Sequence, residues 1–463
     1  MLKLRQPVVI IGLGKTGFAC LQFLSEKNIS CTVVDSRPQP PFLKKAKETY
    51  PQVEIITGSL QHPVVENAGS IILSPGVDIR EEVLVSAREK GAEIIGDIEI
   101  FARCNHVPVI GVTGSNGKST VTELTQKLLT SLGVSVAMAG NIGTPVLQLL
   151  SNSQFTKEQI QYSELDYIVL ELSSFQLDTT TSLRPVAATV LNISPDHLDR
   201  YDSFKQYQHS KLSILHENTI AVVPQNNHWE LPKVKKIVHF GMDEMSDFSI
   251  RKIKNNYFIF IHLNDSVGSK PWMALSEVAL SGQHNWLNIL ASLALVEGAG
   301  FSLMGNNKIR LQQVLKKYAG LPHRCEKIIT SGQVLWINDS KATNVASTVA
   351  ALESFATQFS GKIILIVGGD AKNADLTPLV KNIERHVFTL ITLGKDGPSI
   401  GRLIKNVRII DVSTLEKAVE ISAEIAPDNG LVLLSPACSS LDMFQNFEQR
   451  GQQFASAVRR VAA

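Results

Sequence analysis

The chain has 463 residues, 44% of them hydrophobic and 19% charged, a globular composition that excludes disorder and suits about three domains. Lysine and arginine total 45 against 43 acidic residues, a formal +2, so neither a broad nucleic-acid footprint nor a membrane-binding patch is expected. Five scattered cysteines with no C-x-x-C pair suit a reducing cytoplasm rather than a disulfide framework or a zinc site.

In chain order, Lys3 and Arg5 precede the apolar run Val8–Ile11. That run breaks at Gly12 and is too short for a signal peptide, so it reads as a first strand, and no later stretch approaches a membrane span. Thr32–Val34 and Ile71–Leu73 read as further buried strands, with helices over Phe18–Glu26 and Glu81–Lys90. This is a βαβ pattern with a parallel sheet. Gly12-Leu13-Gly14-Lys15-Thr16-Gly17 matches G-x-G-x-x-G between the first strand and its helix, and Asp35 ends the next strand about twenty residues on. Alone, the pattern signals a nicotinamide-dependent oxidoreductase. It prepares only a pyrophosphate turn, however, which a UDP-linked ligand also requires, and a purely structural turn uses the same glycines. Ser74-Pro75-Gly76 adds a loop, or a simple turn, at the same sheet edge.

The second segment opens on the apolar run Val107–Ile110, which reads as a strand end. It continues into Gly111-Val112-Thr113-Gly114-Ser115-Asn116-Gly117-Lys118-Ser119-Thr120 and then Val121–Leu132, spaced as a helix. A strand, a glycine turn, and Lys and Ser at a helix start form a phosphate cradle. Backbone N–H groups and the positive helix end hold phosphates, Lys118 neutralises charge, and a hydroxyl can take Mg²⁺. The spacing departs from the usual P-loop, because Gly111 lies one residue early and Val112 stands at the first-glycine position. Glu171, after the strand Tyr167–Leu170, is placed to hold a metal or simply to start a helix. Asn192 to Tyr201 follows the strand Ala188–Leu191 and packs Asp196, His197, Asp199 and Arg200 together. Lys211 lies in a helix and by itself reads as a solvated lysine. Phe248–Lys254 and Tyr257–Leu263 flank Asn255-Asn256, predicting a hairpin turn there and a small antiparallel accessory sheet. A helix over Asn285–Glu297 follows.

The third segment starts near Leu321-Pro322-His323-Arg324, where Arg324 reads as a surface arginine or one that reaches a γ-phosphate. Strands Val334–Ile337, Lys362–Val367, Phe388–Leu393 and Leu431–Leu434 alternate with helices. Three polar loops follow three of these strands: Asn338–Asn344, Gly368–Lys372 and Ser435–Asp442. They should cluster at one sheet edge, where Thr343, Lys372 and Ser440 could take a small dicarboxylate. Cys438 reads as a small buried thiol rather than a nucleophile.

Together these motifs resemble the Mur ligase family of peptidoglycan synthesis over essentially the whole chain. The resemblance rests on the glycine loop at Gly12, Thr113–Thr120, Gly140-Asn141-Ile142-Gly143, Glu171–Leu177, Asp196–Tyr201, Gly282–Asn285, His323-Arg324, Asp339–Asn344, Gly369–Lys372 and Ser435 through Arg450-Gly451. It is strongest to the branch that adds D-glutamate to UDP-N-acetylmuramoyl-L-alanine, and the Asp-Asn-Pro-Arg signature of the diaminopimelate- or lysine-adding branch is missing. Folylpolyglutamate synthases share the ATP loop but not this N-terminal domain. The resemblance implies an α/β protein of three domains: a Rossmann-like UDP-sugar domain over 1–97, a central P-loop-type ATPase domain over 98–320 whose mostly parallel sheet is joined by a small antiparallel one, and a Rossmann-like amino-acid domain over 321–463. It implies ATP, Mg²⁺, an acyl-phosphate route, a cytoplasmic monomer and small-molecule partners, with no nucleic acid and no membrane insertion. Gly114, Ser115, Asn116, Gly117, Lys118, Ser119 and Thr120 would cradle ATP, Asn285 and Asn288 its adenine, and Arg324 and Asp339 would reach it from the C-terminal domain. Ser119, Glu171, His197 and Lys211 would sit at the metals, Lys211 matching a position carbamylated by carbon dioxide. Leu13, Thr16, Asp35, Ser36, Arg37, Gly76 and Asn141 match positions around the UDP-sugar. His323, Thr343, Lys372, Ser440, Leu441 and Phe447 match the D-glutamate pocket. Lys118, Glu171, His197, Lys211 and Arg324 would carry catalysis.

Overall fold

A computed structural model describes residues 2–151, 161–262, 270–280, 282–328, 330–372 and 374–462. Three sheets organise them, one for each α/β domain. The first takes the order Ile55–Thr57, Thr32–Asp35, Val8–Ile11, Ser70–Leu73, Glu93–Ile95, parallel throughout. Its central strands, Val8–Ile11 and Ser70–Leu73, are short apolar runs buried on both faces, as parallel crossovers require. Val9 and Ile11 pack under Val83 and Leu84, while Val8 and Ile10 pack under Leu21 and Leu24 of the helix Lys15–Glu26. That helix sits close on the first strand because position 17 is glycine, where a Cβ would collide with Gly12 O.

The second sheet runs Met273–Ala274, Asn256–Ile261, Phe248–Ile253, Lys236–Gly241, Ile220–Pro224, Ala187–Val190, Val109–Thr113, Tyr167–Glu171, Val136–Gly140. The expected hairpin is present, and it extends the central sheet. Phe248–Ile253 pairs in parallel with Lys236–Gly241, and only its pairing with Asn256–Ile261 is antiparallel. Its turn lies one residue earlier than Asn255-Asn256: Ile253 pairs with Asn256, and Lys254 takes the left-handed conformation at φ 54°. Leu263, placed by the sequence in the second hairpin strand, lies outside the described residues. The third sheet runs Glu326–Ile328, Leu335–Asn338, Leu431–Leu434, Ile363–Gly368, Val387–Leu393, Arg408–Asp411, with only the first of these antiparallel to its neighbour. No helix among the described residues is long and apolar enough to cross a membrane.

The chain divides into two compact units. One comprises residues up to Ile193, His197–Leu275 and Asn288–Val314; the other comprises Ser194–Asp196, Ser276–Leu287 and the chain from Leu315. In the first unit a single hydrophobic cluster runs from Val8 and Ile10 through Ile98 and Phe101 to Val109, Ile168 and Leu212. The first two sheets therefore share a core. The helix Asp97–Cys104 is the bracket between them. Glu99 accepts from Thr181 N at 2.7 Å, Ser182 N at 2.8 Å and Ser182 Oγ at 2.6 Å, and pairs with Arg103 at 2.8 Å. Burial opposes its charge, but these donors outweigh that effect and bring it down to about 2.

Asp97 differs. It is 3% exposed, Oδ1 has no hydrogen-bond partner among the described residues, and burial pushes the carboxyl up to about 6 despite the Ile98 N–H and the Gln176 amide. A raised carboxyl pKa means that the folded state still holds a proton which the unfolded chain has released. Stability is therefore lost as pH climbs from the unfolded value of 3.8 through 6, and the full cost is felt above that window. Asp97→Asn, which carries no charge, should stabilise the protein by about 1–3 kcal/mol at pH 7.5 and by nothing near pH 4. Denaturant titrations across that range check it, and a variant less stable than the parent at pH 7.5 overturns it.

Candidate active site

The strand Val109–Thr113 ends in the loop Gly114-Ser115-Asn116-Gly117, and the helix Lys118–Ser131 begins at once. Gly117 caps that helix at φ 86°, and a Cβ there would come within 2.5 Å of Asn288 Oδ1, so only glycine serves. The neighbouring strand end clamps the loop. Asn192 accepts from Asn116 N at 2.8 Å through Oδ1 and donates to Asn116 O at 3.0 Å, while Ser115 N donates to Asn192 O at 2.9 Å. Ser115 Oγ and Tyr207 OH are 2.9 Å apart. Lys118 Nζ bonds Gly114 O and Ser115 O, each at 2.8 Å. Lys211 bonds the same Gly114 O at 2.9 Å, with its ammonium 4.6 Å from the centre of the Tyr207 ring. Lys211 is 2% exposed, so it is not the solvated lysine that its sequence context alone allows.

Glu171 ends the strand Tyr167–Glu171. Its Oε1 accepts from Asn141 Nδ2 at 2.7 Å, and its buried Oε2 has no hydrogen-bond partner among the described residues. Asn141 N also donates to Glu171 O at 2.8 Å, so Asn141 is bound to this carboxylate. His197 takes φ 56° in the turn closed by Arg200 N to His197 O, and its ring meets Phe175 edge-on at 4.9 Å. Among the described residues no group of three His, Cys, Asp or Glu side chains is arranged to hold a metal. What fits a cation is the orphaned Glu171 Oε2 and the buried Ser119 hydroxyl at a phosphate-type loop, where Mg²⁺ uses few protein ligands. Asn285 and Asn288 are both buried, three residues apart on the helix Gln283–Gly298.

At the first glycine loop, Asp35 receives Leu13 N at 2.6 Å, Arg37 N at 2.8 Å, and a two-pronged pair from the Arg37 guanidinium at 2.9 and 2.6 Å. Burial works against its charge, but Arg37 and these N–H groups hold it below the usual carboxylate range. Both oxygens are engaged, so no free carboxylate is presented to a ribose as a dinucleotide site requires. Ser36 and Thr16 flank these contacts in sequence, and Ser74 Oγ ties the Gly76 loop to Gly12 O at 3.1 Å.

In the second unit the three polar loops do gather, and a residue without a role in the sequence reading gathers them. Arg450, 2% exposed, donates to Ser340 Oγ at 3.0 Å, Ser340 O at 2.8 Å and Cys438 O at 3.2 Å, with Gly368 O at 3.5 Å. Burial lowers its pKa to about 10, so the guanidinium keeps its charge at neutral pH. Asn338 Nδ2 holds His323 Nδ1 at 2.9 Å, and the His323 ring meets Phe447 at 6.4 Å. Asp339 is pushed up to about 6 by burial, against Ser435 Oγ, the Cys325 N–H and nearby Arg324. Ser440 is buried, Leu441 is 65% exposed, Lys372 is exposed at φ 50°, and Thr343 follows the Lys341 turn. Cys438 is fully buried and its thiol is pushed up to about 12, which makes it inert as read.

Three family models tile the chain: the MurD-like N-terminal domain of Mur ligases over 6–96, the Mur ligase middle domain over 112–296, and the Mur ligase glutamate ligase domain over 323–438. A UDP-N-acetylmuramoylalanine–D-glutamate ligase of Colwellia psychrerythraea is 39% identical over 98% of this chain and 96% of its own. The chain belongs to the Mur ligase family. The equivalent ligase of Coxiella burnetii is 40% identical, covering 97% of this chain and 98% of its own. Among solved structures, the MurF ligase of Thermotoga maritima in complex with ADP matches the fold at TM-score 0.60 and 17% identity, over 98% of this chain and 96% of its own.

Residues that sequence reasoning missed are mostly partners: Asn192 on Asn116, Tyr207 on Ser115, Arg450 on three carbonyls. Arg450-Gly451 closes the last of the motifs that carry the family resemblance, and that is the signal the sequence offers. Lysine cannot reproduce the Arg450 fork. Arg450→Lys should therefore cost about 2 kcal/mol of stability, read by chemical denaturation, and an unchanged midpoint overturns the assignment.

Proposed function

We propose that the chain forms an amide bond between D-glutamate and UDP-N-acetylmuramoyl-L-alanine at the expense of ATP, releasing ADP and phosphate, in the cytoplasm and as a monomer. The relatives named above carry this activity in their names, and they match over nearly full length. The geometric observation that carries the proposal is the convergence of Lys118 and Lys211 on Gly114 O at a helix N-terminus. Backbone N–H groups, the helix end and the Lys118 ammonium concentrate positive potential where a triphosphate requires it, and Lys211, fixed at the same loop, stands where the carbamate assigned below would meet the cation.

The chemistry follows from the electrophile. A carboxylate resists attack by an amine. Transfer of the γ-phosphoryl group to a carboxylate oxygen gives an acyl phosphate; the amine nitrogen attacks its carbonyl carbon, and phosphate leaves with the C–O pair. Gly114 to Thr120 cradle the phosphates, with Lys118 balancing charge as it moves to the leaving ADP. Asn285 and Asn288 take the adenine, and Arg324 and Asp339 contact the nucleotide. Ser119, Glu171, His197 and Lys211 would hold Mg²⁺, which when bound lowers the negative charge on the phosphoryl oxygens. We assign Lys211 as a carbamate: its amine adds to the carbon of carbon dioxide and releases a proton. The product is an anionic ligand whose remaining N–H can keep Gly114 O. Leu13, Thr16, Asp35, Ser36, Arg37, Gly76 and Asn141 form the UDP-sugar site, and His323, Thr343, Lys372, Ser440, Leu441 and Phe447 the D-glutamate site. The corresponding domains are 1–97, 98–320 and 321–463.

Phosphate release from ATP with UDP-N-acetylmuramoyl-L-alanine should require D-glutamate. Release that ignores D-glutamate but needs another amino acid would overturn the acceptor, and reduction of NAD by any substrate would overturn the ligase. Lys118→Ala should lose turnover by at least about a thousandfold, a loss of the size seen when charge stabilisation is removed. Lys211→Ala should lose activity and recover part of it with added formate or acetate; full activity without rescue refutes the carbamate.

A further inference from the structure

Arg200 makes more connections than a structural arginine in a turn requires. Its Nη2 donates to Val77 O at 2.7 Å and its Nη1 reaches Gly76 O at 3.4 Å. Its Nε lies 3.2 Å from Asp78 Oδ2. The guanidinium lies over the Phe175 ring at 4.4 Å, and that same ring meets His197 at 4.9 Å. Arg200 N closes the turn on His197 O at 2.9 Å. The far side of the joint is equally tied down. Asp78 is gripped by Arg80 at 2.8 Å, whose Nη2 donates to Asp199 O at 2.5 Å and whose Nη1 pairs with Asp202 at 3.3 Å. Ser74, at the base of the Gly76 loop, is fixed to Gly12 O and closes its own turn with Val77 N at 3.0 Å.

One side chain therefore links two segments that serve different ligands. The Gly12 and Gly76 loops belong to the UDP-sugar site and His197 to the cation site, an assignment that rests on the function proposed above. We propose that Arg200 is a positioning residue that couples the two, so that UDP-sugar occupancy tightens divalent-cation binding and the reverse. A sugar nucleotide seated against Gly76 fixes the Gly76 and Val77 carbonyls. Those carbonyls fix the plane of the guanidinium, the guanidinium fixes Phe175, and Phe175 sets the edge against which His197 rests. Linkage makes the coupling reciprocal, whichever ligand binds first. A planar fork meets two carbonyls, stands as an ion pair beside a carboxylate and lies on a ring face together, whereas an ammonium on a flexible stem meets one or two of them.

The test is calorimetric and requires no turnover. UDP-N-acetylmuramoyl-L-alanine is titrated into the whole protein with and without Mn²⁺ and a non-hydrolysable ATP analogue. The expected result is at least about fivefold tighter binding of the sugar nucleotide when the cation and analogue are present, the lower bound of ordinary coupling. In Arg200→Lys the ratio should fall towards one, while the melting temperature and the affinity for the ATP analogue alone stay near those of the parent. Phe175→Leu should reduce the ratio without touching the Val77 bond. Should Arg200→Lys fail to fold, Asp78→Asn loosens the same joint from the other side and should lower the ratio in turn. A parent protein with no coupling, or an Arg200→Lys protein that retains it, overturns the proposal. A parent that couples the two ligands but shows no D-glutamate-dependent phosphate release would instead overturn the function on which the proposal rests.

Discussion

Two ammonium groups meet on one peptide oxygen, and the centre of the first unit is arranged around that meeting. Gly114 O accepts Lys118 from the first turn of its own helix and Lys211 from a helix ninety-odd residues later in the chain. Like charges drawn to a single acceptor in a buried setting repel one another at short range, so the surroundings must hold each stem rigidly. Tyr207 lies against Lys211 and bonds Ser115; Asn192 fixes Asn116 from both sides; Gly117 lets the helix begin beside Asn288 without a clash. The loop is thus shaped before any ligand binds, and conversion of Lys211 to the proposed carbamate would relieve the repulsion between the two ammonium groups.

The second unit solves a related problem with one cation instead of two. Three strand-end loops must present polar groups on one edge, yet their backbone carbonyls would repel one another if left to converge unaided. The buried Arg450 guanidinium takes carbonyls from all three loops and the Ser340 hydroxyl. It has no carboxylate among those partners; apart from the bond to the Ser340 hydroxyl, its donors are spent on backbone carbonyls. Asp339 and Cys438, both raised by burial, lie in the same loop cluster and stay closer to neutral than their exposed counterparts.

Much of this was legible in the sequence, for definite reasons. Parallel strands buried on both faces are runs of Val, Ile and Leu, so Val8–Ile11, Leu431–Leu434 and their neighbours stand out, and polar residues just after them fall on the ligand-bearing edge. Phosphate-loop residues are readable because glycine, lysine and serine occupy fixed offsets from a strand end. Residues whose partners are backbone atoms far along the chain are not readable: Arg450 donates to Ser340 O across 110 positions, and Glu99 accepts from Ser182 N across 83. The hairpin turn shows the limit of local rules. Asn255-Asn256 has the better left-handed propensity, but strand register places the turn so that Lys254 adopts φ 54° instead.

The two glycine loops look alike as patterns and differ as electrostatic sites. At Gly114–Lys118 the positive charge comes from side chains that reach the loop itself. At Gly12–Gly17 the Lys15 ammonium donates to Gly143 O at 2.8 Å, Asp35 and Arg37 neutralise one another, and the Leu13 N–H is bound to the same carboxylate. A loop with one exposed lysine beside a neutral ion pair suits the diphosphate-linked ligand proposed for it. A loop that opens a helix with Lys118 folded onto its own carbonyls suits the triphosphate proposed for it. The sequence pattern already separates a pyrophosphate turn from a P-loop-type cradle, and the partners of Asp35 and of Gly114 O add the electrostatic difference between them.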